Sequence, residues 1–93
     1  MTHSEIHVCL EQVISTDPYL QRELSAQRKC RGVGKKDGDE IDDRELLGVW
    51  DTCSWRCAEL IARNLRPQLP VEDIHRDIVE WRNYSFEHMV SRT

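Results

Sequence analysis

Ninety-three residues, 39% of them hydrophobic and 32% charged, make one domain that buries roughly 60–65% of its unfolded surface, too apolar for a disordered chain. The formal net charge of -4 is modest. It favours neither a nucleic-acid binder nor a strongly charged mimic of DNA. The opening MTHSEIHVCLEQV lacks the charged-then-apolar pattern of a signal peptide, and no apolar run approaches the ~20 residues needed to cross a bilayer. A cytoplasmic chain is therefore expected, with Cys9, Cys30, Cys53 and Cys57 as reduced thiols and no membrane contact.

Four helices are expected, and no strand. Ser4 is a candidate N-cap for a first helix over 4–15, where Ile6, Cys9 or Leu10, and Val13 or Ile14 recur at helical spacing, with His7 and Glu11 off the stripe. Asp17-Pro18 is the sharpest local signal. Proline suits the first helical position, and the aspartate before it can accept from the open amides of the first turn. The second helix runs over 18–31, with Tyr19 or Leu20, Leu24 and Cys30 as its inward candidates, and should stop at Gly32.

Residues 32–43, GVGKKDGDEIDD, read as a charged loop with a mobile tip. A basic cluster of Arg28, Lys29, Arg31, Lys35 and Lys36 is followed at once by Asp37, Asp39, Glu40, Asp42 and Asp43. Blocks of opposite sign so close largely cancel beyond a Debye length of ~8 Å.

The third helix, 43–65, has the strongest periodicity and should be the spine of the domain. Leu46, Trp50, Cys53, Cys57 and Leu60 or Ile61 recur every three or four residues, and Leu47, Ala58 and Leu65 widen that face. Asp42 or Asp43 can cap it, with Glu45 in the first turn. Pro67 and Pro70 then separate it from a fourth helix over 71–90. In that helix Val71, Ile74, Ile78 and Trp81 share a stripe, the pattern weakens at Asn83-Tyr84-Ser85, and Phe86, Met89 and Val90 resume it.

No constellation for chemistry emerges. Cys53 and Cys57 could chelate with His3, His7 and Cys9, but a matching second pair is missing and both thiols fall on the core stripe, so no metal is expected. The acidic loop fails the calcium-loop pattern, since the sixth position counted from Asp37 is Asp42 rather than glycine. GVGKK lacks the hydroxyl residue and spacing of a phosphate loop. No nucleophile is tied to a base. An enzyme and a bound cofactor are therefore not expected.

Binding remains. Trp55 lies about 140° round the helix from Trp50, so both cannot face one narrow core. Tryptophan, tyrosine and arginine dominate binding hot spots. Trp55 and Arg56, with Trp81, Tyr84 and Phe86 as a second aromatic group and Arg63 and Arg82 nearby, are the candidate contacts. The acidic Glu72, Asp73 and Asp77 could face a basic groove, standing in for phosphates. The competing reading is a small DNA-binding regulator that grips phosphates with Arg28, Lys29, Arg31, Lys35 and Lys36, although a dozen loop residues stand where a helix-turn-helix has a short turn. In size, acidity and want of a catalytic signature the chain is similar to the small inhibitor proteins of phages and mobile elements, including anti-CRISPR proteins. That likeness of class implies a larger protein or protein complex as partner, a nucleic-acid-handling machine above all. A second copy of the chain is another candidate cover for its apolar surface.

Overall fold

Asp17 and Asp42 begin helices as their positions predict, and a threonine begins the first. In the computed structural model, which describes residues 1–36 and 39–91 with side chains through 85, the helices are α1 (His3–Thr16), α2 (Pro18–Cys30), α3 (Asp43–Asn64) and α4 (Val71–Ser91). No strand occurs among the described residues. The cap of α1 is Thr2 rather than Ser4: its hydroxyl accepts from the Glu5 amide at 3.2 Å, which moves the start forward by a turn fragment. Asp17 accepts from the Leu20 amide at 3.0 Å, with Pro18 opening α2.

Gly32 ends α2 in the left-handed region at φ 69°. The Val33 amide reaches back to the Arg28 carbonyl at 2.9 Å and the Gly32 amide to that of Lys29 at 3.2 Å. This paired closure needs a residue free to take positive φ. At the start of α3, Asp42 and Glu45 form a reciprocal capping box: the Glu45 amide donates to Asp42 at 2.9 Å and the Asp42 amide to Glu45 at 3.1 Å. Asp42→Ala is expected to lower stability by about 1 kcal/mol, measurable as a shift in urea midpoint against Asp43→Ala, which should move it far less.

α3 is the hub, packing against α1, α2 and α4, while α1 also touches α2 and α4. The core it organises includes Ile6, Leu10, Ile14, Leu20, Leu46, Val49, Trp50, Cys57, Ile61, Ile74 and Ile78. Val49 is fully enclosed although it falls between the residues of the expected stripe. Cys53 and Leu60 are only partly covered, and Ile61 is the inward one of its pair.

Two features depart from the expected periodicity. First, α2 turns Leu20, Leu24 and Arg28 inward, one row at i, i+4, i+8; Tyr19 and Cys30 face out. The reason is continuity of the row, which Cys30 breaks. Second, α3 is bent at Cys53, whose φ -129° and ψ 42° are not helical. One turn earlier the Gly48 carbonyl accepts from the Thr52 hydroxyl at 3.1 Å and from Gln27 Nε2 at 3.0 Å. A threonine bonded back to the carbonyl four residues before it is a known source of helix bending. Gly48 itself admits α2: a Cβ there would come within 2.3 Å of Gln27 Oε1 and 2.8 Å of Arg31 Nη2.

The loop between α2 and α3 is pinned where it is described. Ile41 is buried, and Lys35 donates to the Glu40 carbonyl at 2.9 Å. Asp37 and Gly38, in the loop 32–43 whose tip is expected to be mobile, lie outside the described residues, as do the side chains of Phe86, Met89 and Val90. α4 runs through Asn83-Tyr84-Ser85 without a break.

Candidate protein-binding surface

The helix that carries the core also carries the candidate site on its other side. Asp51, Thr52, Trp55, Arg56, Glu59 and Arg63 all face solvent along α3. At the centre, Trp55 leaves 52% of its surface exposed. Its ring lies flat on His75 of α4, with centroids 3.8 Å apart and planes 6° from parallel. The same imidazole also meets buried Trp50, with centroids 5.3 Å apart and planes tilted by 44°. His75 thus touches both a core indole and a surface indole.

On the α2 side, one edge of the Arg56 guanidinium donates to both Asp17 carboxylate oxygens, Nε at 3.0 Å and Nη2 at 3.1 Å, and its guanidinium carbon sits 4.8 Å over the Tyr19 ring. The Arg56 hydrogen bonds hold the Asp17 carboxyl below its ordinary range against a smaller opposing effect of burial, and Asp17 in turn raises Arg56. Tyr19 is 54% exposed. Farther along, Arg82 of α4 binds Asp51 in the same two-pronged way at 3.0 and 3.1 Å. Tyr19, Arg56, Trp55 and His75 therefore lie as an ordered band across three helices.

The other anticipated contacts fare unequally. Trp81 is only 5% exposed and belongs to the core, where its place on the Ile74–Ile78 row puts it; it is not a surface contact. Tyr84 is exposed and tilted against His3 at 4.8 Å. Glu72 is exposed, Asp73 lies 3.4 Å from Arg76, and Asp77 holds the Met1 ammonium at 2.7 Å. The acidic trio is thus partly engaged within the chain.

The basic cluster is divided more sharply. Arg28 is buried, ion-paired with Glu45, and donates to the carbonyls of Lys36 at 3.0 Å, Asp39 at 3.5 Å and Glu40 at 3.4 Å. Lys35 reaches the same Glu45 at 2.8 Å and Asp42 at 3.4 Å. Burial works against ionising Glu45, yet the hydrogen bonds from Arg28, Lys35 and the Asp42 backbone outweigh it and hold the carboxyl at about 2. Lys29, Arg31 and Lys36 remain at the surface.

Among the described residues no three His, Cys, Asp or Glu side chains converge to hold a metal ion. Burial pushes the Cys57 thiol up to about 12 and raises Cys53 and Cys9. His7 is instead 3.1 Å from Asp43 and 3.4 Å from Glu11. No described helix is long and apolar enough to cross a membrane.

Asp17, Tyr19 and His75 join this surface without having been singled out from the sequence as contacts. Their pairing with α3 spans between 20 and 39 residues and leaves no local spacing to find. By architecture the chain is a small all-α bundle of four helices. In comparison with known proteins, no protein-family model, no characterised protein and no solved structure matches it.

Proposed function

We propose that this chain is a non-enzymatic protein-binding module that inhibits or regulates a larger nucleic-acid-handling machine, in the manner of the small inhibitors of phages and mobile elements. The observation that supports it is Trp55. A tryptophan half open to water yet fixed by a flat stack on His75 is costly surface in a monomer and a pre-ordered anchor in a complex. Arg56 and Tyr19 beside it are of the residue types that carry binding energy, and their ion pair and ring contact limit the freedom lost on docking. Glu72 adds negative charge at the edge of the band, which suits a partner with a basic groove.

The test is a pull-down from nuclease-treated bacterial lysate with the intact chain and with Trp55→Ala, read by mass spectrometry. A protein retained by the first and lost at least tenfold by the second is expected, a hot-spot loss of about 1.4 kcal/mol or more. Capture that ignores Trp55, or that vanishes with nuclease, counts against the reading. The DNA-binding alternative is less well supported, because Arg28 and Lys35 are drawn onto Glu45 and away from any phosphate. It would be revived by duplex DNA binding that falls steeply with salt and weakens in Lys29→Ala and Lys36→Ala.

A further inference from the structure

Trp55 has one ring face on His75, and half of its surface is open. An indole face is the best aromatic seat for a cation. The chain's own arginines near it are engaged elsewhere: Arg56 by Asp17 and Tyr19, Arg82 by Asp51, and Arg76 by Asp73. The nearby acids are not. Glu59 lies one helical turn beyond Trp55 and Glu72 one turn before His75, both exposed and outside any ion pair among the described residues. Arg63, a turn beyond Glu59, is the opposing charge on this face and leaves the balance around the ring negative.

The neighbouring site shows what such a grouping holds. There an aromatic ring, Tyr19, and a carboxylate, Asp17, together seat the Arg56 guanidinium, one supplying a face at 4.8 Å and the other two acceptor oxygens. Trp55 with Glu59 and Glu72 presents the same two kinds of group, a ring face and carboxylates, with no guanidinium over it among the described residues. A planar guanidinium can stack on a ring while its edge meets a carboxylate, whereas an ammonium offers only a point charge.

We propose that the open part of Trp55, with Glu59 one helical turn along α3 and Glu72 one turn before the stacked His75, is a seat for an arginine side chain of the partner protein. This rests on the protein-binding reading above and names the chemistry recognised there. It makes the module a receptor for a basic segment, and it centres the discriminating contact on the Trp55 ring of α3.

The experiment is an NMR titration of the full chain at physiological salt, following the indole N–H signals. Trp55→Leu assigns the Trp55 signal and removes the ring face. The probes are blocked pentapeptides Gly-Xaa-Gly-Xaa-Gly in which Xaa is arginine, lysine or citrulline, the last having the arginine shape without its charge. The arginine peptide should move the Trp55 signal saturably, lysine about threefold more weakly, and citrulline not at all. Glu59→Gln with Glu72→Gln should weaken the arginine response about threefold, in line with exposed charge pairs. An equal response to citrulline, a shift spread over acidic residues with Trp55 unmoved, or no saturable response to arginine would each overturn the proposal. Trp55-dependent capture of a protein alongside such a failure leaves the docking surface standing with another chemistry. Arginine binding without any Trp55-dependent protein partner leaves the seat and removes the module reading.

Discussion

Arg28→Ala should destabilise the fold by about 3 kcal/mol, lowering Tm by roughly 15 °C, whereas Lys29→Ala, one residue on, should move it by less than ~0.5 kcal/mol. The difference lies in what each side chain holds. Arg28 is 4% exposed and spends its donors on Glu45 and on three carbonyls of the loop that leads into α3. Removing it leaves a carboxylate at 5% side-chain exposure with Lys35 as its remaining cation, and breaking a buried pair from one side strands a charge. Replacing both partners, Arg28→Met with Glu45→Leu, should recover part of the loss, since no charge is then stranded, although the three loop carbonyls and the Asp42 amide lose their partners. Equal Tm values for Arg28→Ala and Lys29→Ala would show that the loop is held by something else.

Acid titration reads the same contact from the other side. The Glu45 carboxyl sits at about 2 in the folded chain against an ordinary 4.5. Between those values the unfolded chain takes up a proton there that the folded chain refuses. This contribution to stability is therefore complete above about pH 4.5 and drains away as pH falls towards 2. Subtracting the pH profile of Glu45→Gln from that of the unaltered chain should isolate the loss in that window. A flat difference would mean that Arg28 and Lys35 do not hold the carboxylate in solution.

The helices were legible because their ends are written locally. Asp17-Pro18, the glycine at 32, Asp42 with Glu45 three residues later, and the prolines at 67 and 70 each act through backbone groups within a turn of themselves. Arg28 was misplaced for the opposite reason. Its type and its basic neighbours argue for solvent, while its position on the Leu20–Leu24 row turns it inward, and Glu45, 17 residues away, together with three loop carbonyls makes that tolerable. The bend at Cys53 was half hidden, because the Thr52 hydroxyl that bonds back to Gly48 is local while Gln27 reaches the same carbonyl from another helix. At the candidate surface, the 140° between Trp50 and Trp55 was readable and correctly separates a core ring from an open one. What Trp55 rests on was not, since His75 arrives from 20 residues downstream. Trp81 shows the limit of counting aromatics as contacts: its row, not its type, decides its burial.

That separation of the two indoles predicts opposite phenotypes. Trp50→Ala should cost about 4 kcal/mol, since it empties a site that is 2% exposed at the hub of the bundle. A chain of 93 residues has only about 5–14 kcal/mol in total, so the variant should lie close to unfolding at 37 °C. Trp55→Ala removes a half-exposed ring and should cost less than ~1 kcal/mol. Urea midpoints measure both, and near-ultraviolet circular dichroism reports whether the remaining tryptophans keep fixed surroundings. Because Trp50 also touches His75, Trp50→Phe should keep an aromatic neighbour for the imidazole and with it partner capture through Trp55, even where some stability is lost. Equal losses from Trp50→Ala and Trp55→Ala would place Trp55 among the residues that hold the fold together. Stability kept and partner capture lost in Trp55→Ala is the pattern expected of a residue that serves binding instead.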